Sequence, residues 1–279
     1  MTVGLAVRLL DRGVQLGIPA VAVLVAMVYS DLFSGYWVPK TAAVMAGVPF
    51  LCGLLLVRSA LARKLELRST PLLWPCLLFA AVSLPSLLWA PNPGRGLEAA
   101  TFRLSTLALA FLTLNAYGDP LQLRRLFAVL VGGAALISAA GLLQYAGIHL
   151  IPFILVYSPG WGATLGNLNF VAHYLDVIIP LAVALLFLSS SGLGRVGASL
   201  ALALTGSYLV VSQRRAGWFA VRVGLLLMVL FSGRGVRHLR HLAFAAVVLA
   251  LLSPAAELVG RSDSVGQGRT ATSLSLIHI

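Results

Sequence analysis

Of the 279 residues, 59% are hydrophobic and only 10% are charged, and the mean hydropathy is +0.97, so most segments lack the polar face that a water-soluble domain needs. The net charge of +12 is spread over short loops without interleaved aromatics, which argues against a nucleic-acid-binding stripe and leaves anchoring at anionic headgroups as its account. The expectation is an integral membrane protein, with membrane lipids as partners and no nucleic acid.

A helix needs about 20 apolar residues to cross ~30 Å of hydrocarbon. The chain supplies about nine such runs, near 14–33, 38–57, 71–89, 101–117, 125–147, 168–188, 196–212, 216–232 and 239–254. A β-barrel would need shorter spans of alternating polarity, and none alternates that way. The predicted fold is therefore all-α, a polytopic transmembrane helical bundle. Pro49, Pro75, Pro85, Gly132, Gly133 and Pro180 inside these runs are read as packing or kinking residues, because neighbouring helices can re-satisfy freed backbone groups.

Orientation follows from the basic residues between spans. With the N-terminus cytoplasmic, 12 of the 20 Lys and Arg, from Arg8 and Arg12 to Arg234, Arg237 and Arg240, fall on inner segments, and seven, Lys40 and Arg214 among them, on outer ones. Arg8 and Arg12 precede an apolar run too long for a signal-peptide core, so the first span is expected to stay as an anchor. Cys52 and Cys76 lie inside apolar runs and read as packing residues. An uncharged outer loop from about 148 to 167, with His149, Tyr157 and Trp161, reads as interfacial or re-entrant. No long polar linker interrupts residues 1–254, which form one membrane domain; residues 255–279 turn polar and read as the start of a truncated extracytoplasmic loop.

Two stretches narrow the function. The run GATLGNLNFVAHYL (Gly162 to Leu175), followed by a span, a short inner loop, another span and SQRRAGW (Ser212 to Trp218), resembles the membrane core of bacterial O-antigen ligases and related polymerases. That superfamily commonly has a G-N-x-N-F-like start to one span and an S-R-G-A-W or S-R-A-G-W start to a later one. The match covers residues 140 to 220 and puts the family arginine at Arg215, with Arg214 where Ser is usual.

The resemblance implies transfer of a glycan from undecaprenyl diphosphate to a sugar hydroxyl, such as one on lipid A core, at the outer face of the bacterial inner membrane. The leaving group is then a lipid diphosphate. A guanidinium stays charged, presents a planar fork of donors to phosphate oxygens, and can stabilise the growing charge without a metal or other cofactor. Arg215 is assigned that catalytic role and Arg214 an auxiliary, substrate-binding one. Snorkelling toward headgroups is the competing account of both. Arg269, in a Gly268-Arg269 pair, stands about where the family has a further phosphate-facing arginine, although a solvated arginine explains it equally well. The family loop also supplies a histidine as general base. No residue here takes that place: His278 sits in ATSLSLIHI, which fits neither the family pattern nor a sensible terminus, so the chain as written is expected to be inactive.

Polar groups inside the spans complete the candidate site. Asn167 and Asn169 open the 168–188 span, as helix caps or as substrate-binding groups. An ionised side chain at mid-span costs about 2.5–3.5 kcal/mol on insertion scales, so Asp176 and Arg222, at similar depths in two spans, are expected to form a structural ion pair that orients the helix of Arg215. Relatives usually have an apolar residue at the place of Arg222. His173, one turn before Asp176, could share its hydrogen bonds; Gln144 could bond across helices. His238 and His241 lack a carboxylate or thiolate nearby, and no metal is expected. The rival function is a transporter of a small anion or inorganic carbon, which should have paired broken helices around a midplane site; the third reading is a non-catalytic membrane scaffold.

Overall fold

The computed structural model describes residues 2–29, 37–65, 67–68, 71, 73–148 and 162–231. All regular structure among them is helical: α1 (Thr2–Met27), α2 (Trp37–Ala62), α3 (Leu73–Ser83), α4 (Pro93–Ala116), α5 (Pro120–Tyr145), α6 (Leu168–Leu188), α7 (Gly192–Ser212) and α8 (Arg215–Phe231), with short 3₁₀ turns at Pro85–Trp89 and Ala163–Leu165. Six of these helices, α1, α2 and α4 to α7, are long and apolar enough to cross a membrane. The chain divides into two compact units, residues 1–130 and 131–279; α5 contributes its first part to one and its second to the other.

Two expected spans take a different form. The 71–89 run is an 11-residue α3 followed by a 3₁₀ turn. Eleven residues rise only about 16 Å, half the hydrocarbon thickness. Pro85 is the cause: it has no N–H to give the Ala81 carbonyl, and the chain tightens instead into i→i+3 bonds, Leu87 N–H to Leu84 O at 3.2 Å and Ala90 N–H to Leu87 O at 3.3 Å, while the Ser86 hydroxyl donates to Ser83 O at 2.7 Å. The 216–232 run is the 17-residue α8. The 239–254 run and the polar tail lie outside the described residues.

In the first unit, α1 and α2 form an antiparallel pair in close register. Gly17 leaves room for the Leu51 side chain and Gly47 for that of Val21, so small residues let the backbones approach as they do in membrane helix pairs. At one end of the pair Arg58 Nε donates to Asp11 Oδ1 at 2.9 Å. At the other, Lys40 Nζ donates to the carbonyls of Val25 (2.9 Å), Ala26 (3.3 Å) and Val28 (2.9 Å). Carbonyls in the last turn of a helix lie beyond the reach of its own N–H donors, and a cation there also complements the helix dipole. The apolar core of this unit gathers Val14, Ile18, Val48, Leu51, Leu112 and Leu126.

Helix α1 starts well before the expected span, at Thr2, so Arg8, Asp11 and Arg12 are helical. Pro19 lies within it and cannot donate to the Gln15 carbonyl one turn back. The Tyr117 hydroxyl donates to that carbonyl, and Gln15 Nε2 in return donates to Ala116 O at 3.0 Å, at the end of α4. Two helix defects thus satisfy each other.

In the second unit α6 is central, with α7 and α8 packed on it and Tyr208 of α7 lying fully buried over Gly141 of α5. The α6–α7 connection is closed by Ser191 Oγ, which accepts from Gly194 N–H at 3.1 Å, and by Arg195 Nε, which donates to Ser189 O at 3.0 Å. Between α7 and α8 only Gln213 and Arg214 intervene, with Gln213 in the left-handed region at φ 54°. Links this short make neighbours antiparallel, so α6 and α8 start at the same end of the unit.

Candidate functional site at the shared end of α6 and α8

The start of α6 is built by its own sequence. Gly162 is buried, and a side chain on it would meet the backbone of Asn167 at 2.7 Å and of Gly166 at 2.8 Å. The chain then makes a 3₁₀ turn over Ala163–Leu165 and reverses through Gly166 at φ 73°, a conformation that glycine adopts without penalty. Asn167 is the N-cap: its side-chain oxygen accepts from Asn169 N–H at 2.8 Å and its carbonyl from Val171 N–H at 3.0 Å. Asn169 contributes a backbone donor, and its own side chain is exposed. Gln144, near the end of α5, fastens the turn by accepting from Ala163 N–H at 3.0 Å. Its role across segments is thus met by a backbone partner, which the sequence offered no means of identifying.

At the start of α8, Arg214 occupies the cap position, its carbonyl accepting from Trp218 N–H at 3.4 Å, and Arg215 is the first helical residue. Both arginines and Ala216 are exposed, whereas Gly217 and Trp218 after them are buried. The mouth of this unit therefore brings together Arg214, Arg215, Asn167, Asn169 and the N-termini of two helices. At the start of α8 the guanidinium charge of Arg214 and Arg215 and the helix dipole have the same sign, and the carboxylate of Asp176 comes close to Gly217 just below.

Below the mouth, α6 and α8 meet along a seam of small residues. A methyl at Gly217 would come within 3.0 Å of Ala172 Cβ and 3.2 Å of Asp176 Oδ1, and one at Gly224 within 3.1 Å of Pro180 Cγ. The helices carrying Asp176 and Arg222 are thus neighbours, as expected. The ion pair between them is not formed. Asp176 Oδ2 instead faces His173 Nδ1 at 3.5 Å, while Asp176 Oδ1 and Arg222 Nε are buried without a hydrogen-bond partner. The reason is rotational: Arg222 follows Gly217 by five residues, which turns it about 140° around the helix from the seam. That rotation puts Arg222 on the face of Trp218 and Arg215. Trp218 Nε1, one turn before Arg222, is also buried without a partner.

No family model matches the chain, and no curated protein or solved structure is similar to it. The site therefore rests on its own geometry and chemistry. Among the described residues no cluster of His, Cys, Asp or Glu could hold a metal ion. Arg269, His278, His238 and His241 lie outside the described residues. Cys52 and Cys76 are free thiols, half-buried in α2 and α3. The mouth thus sets two exposed guanidiniums beside the starts of α8 and of α6, a helix long and apolar enough to cross a membrane.

Proposed function

We propose that the protein acts on a lipid-linked diphosphate glycan, as a metal-independent glycosyl-transferring enzyme of the O-antigen ligase type in a bacterial inner membrane. In this reading undecaprenyl diphosphate is the leaving group, a sugar hydroxyl such as one on lipid A core is the acceptor, and the N-terminus is cytoplasmic with about nine spans. The observation that carries it is the meeting of the GATLGNLNF and SQRRAGW stretches at one end of the second unit, with exposed Arg214 and Arg215 beside two helix N-termini. A bidentate guanidinium in a partly dewatered mouth suits a departing diphosphate. Arg215 makes the principal contact, Arg214 adds charge, and the seam at Gly217 holds the helix that carries them.

The test is binding of undecaprenyl diphosphate to the purified chain in detergent. Arg215→Ala should weaken it by about tenfold or more, and Arg215→Lys should recover only part of the loss, because an ammonium lacks the planar fork. Wild-type affinity in both variants rejects the assignment.

A transporter of a small anion is the second reading. It is favoured by the buried Arg222 Nε and Asp176 Oδ1, neither of which has a hydrogen-bond partner, since ionisable groups deep in a span often mark a transport path. Anion flux into proteoliposomes that disappears in Arg222→Met and persists in Arg215→Ala would support transport over transfer.

A further inference from the structure

A second cationic feature, in the first unit, has no place in the reading above. A groove of about 340 Å³ runs between α1 and the first part of α5. On α1 it is lined by Arg12, Leu16 and Pro19, and on α5 by Arg125, Leu126 and Val129. The spacing is helical on both sides, i, i+4, i+7 on α1 and i, i+4 from Arg125 to Val129, so each helix presents one guanidinium followed by an apolar stripe. Tyr117, Gln15 and Gln122 close the polar end. Two of these are already committed: the Tyr117 hydroxyl to the Gln15 carbonyl, and the Gln15 amide to Ala116 O.

The two arginines are differently placed. Both are exposed, and among the described residues no carboxylate pairs with either. The nearest acidic neighbour in sequence, Asp11, is held by Arg58 at 2.9 Å and lines, with Asp119, an adjoining polar cavity that shares Gln15 and Gln122 with the groove. The groove thus joins two positive charges without counter-charge to an open apolar channel, in which Leu16 is 71% and Val129 48% exposed.

We propose that this groove binds one anionic phospholipid, its phosphodiester held between Arg12 and Arg125 and one acyl chain lying along Leu16, Pro19, Leu126 and Val129. A soluble anion would use the arginines and leave the apolar stripe bare. A zwitterionic lipid would bring its own cation next to two guanidiniums, whereas the glycerol headgroup of phosphatidylglycerol brings none. Basic clefts between membrane helices at the headgroup level are suited to such lipids, and each methylene buried along the stripe adds to retention. The inference is independent of any glycan chemistry at the other unit.

The experiment uses the full chain in a mild detergent, with the unfolding midpoint followed as lipid is added and retained lipid counted by native mass spectrometry. Phosphatidylglycerol should stabilise at concentrations about tenfold or more below those needed for phosphatidylcholine. The double variant Arg12→Gln, Arg125→Gln should erase that preference, and Arg8→Gln, outside the groove, should keep it. Val129→Trp keeps both arginines and fills the channel, so it should lower phosphatidylglycerol retention even if the double variant fails to fold. Equal stabilisation by phosphatidylcholine, a preference that survives Val129→Trp or the double variant, or equal protection by glycerol 3-phosphate overturns the proposal.

Discussion

The Tyr117 hydroxyl donates to the carbonyl of Gln15, the backbone group that Pro19 leaves without a helical donor. Removing the hydroxyl strands a partly buried carbonyl, and such a loss costs about 1–3 kcal/mol. Tyr117→Phe should therefore lower the unfolding midpoint. Pro19→Ala restores the helical N–H, so in the Pro19→Ala background the same change should cost much less. A cycle of the four proteins measures the coupling, and equal costs in both backgrounds would contradict the contact.

Gly217 sets how closely α8 approaches α6. A methyl there would meet Leu209 Cδ1 at 2.9 Å, Ala172 Cβ at 3.0 Å and Asp176 Oδ1 at 3.2 Å, and of these Ala172 Cβ can move only with the α6 backbone. Overpacking of this kind typically costs about 1–3 kcal/mol. Gly217→Val should destabilise by that order, and Gly217→Ala by less, in denaturant or thermal unfolding. Gly206, which has open space around its would-be Cβ, provides the control: Gly206→Ala should be neutral or stabilising, since alanine is the better helix former.

Asp176 and Arg222 share a helix pair without sharing an ion pair. Their double-mutant coupling should accordingly stay within about 0.5 kcal/mol, as for independent sites. Arg222→Met should be neutral or stabilising, because it removes a buried donor that has no partner and keeps the apolar stem. A coupling of several kcal/mol between Asp176→Asn and Arg222→Met would show that the two charges meet.

Asn167 and Asn169 look equivalent in sequence and are not. Asn167→Ala removes the N-cap of α6 and should cost about 1 kcal/mol, read from thermal unfolding. Asn169→Ala leaves the backbone N–H that Asn167 accepts from and should be silent within about 0.5 kcal/mol. If Asn169→Ala nonetheless weakens undecaprenyl diphosphate binding, the exposed amide belongs to the substrate contact rather than to the helix.

Much of the framework was legible in one dimension. The 168–188 span coincides with α6, the 216–232 run with α8 to within one residue, and the cap at Asn167 follows from an asparagine placed just before an apolar run. Gly162 and Gly166 could have been read from the GATLGN stretch as a turn needing close approach and a positive φ. The shortened α3 was foreshadowed by Pro85, yet an apolar run of the right length hid it, because hydropathy counts side chains and not backbone donors. Arg214 and Arg215 were placed at the start of an apolar run by sequence, and they stand at the start of α8.

The sequence by itself determined the solvent and the local elements, since apolar length, proline positions and capping residues act within a few residues of themselves. Only the tertiary structure decided which groups meet. Helical rotation turns Arg222 away from Asp176 and gives the carboxylate to His173; short links bring the starts of α6 and α8 together; and Tyr117 reaches a carbonyl 102 positions away. These pairings depend on register and azimuth between helices, quantities that a hydropathy pattern does not encode.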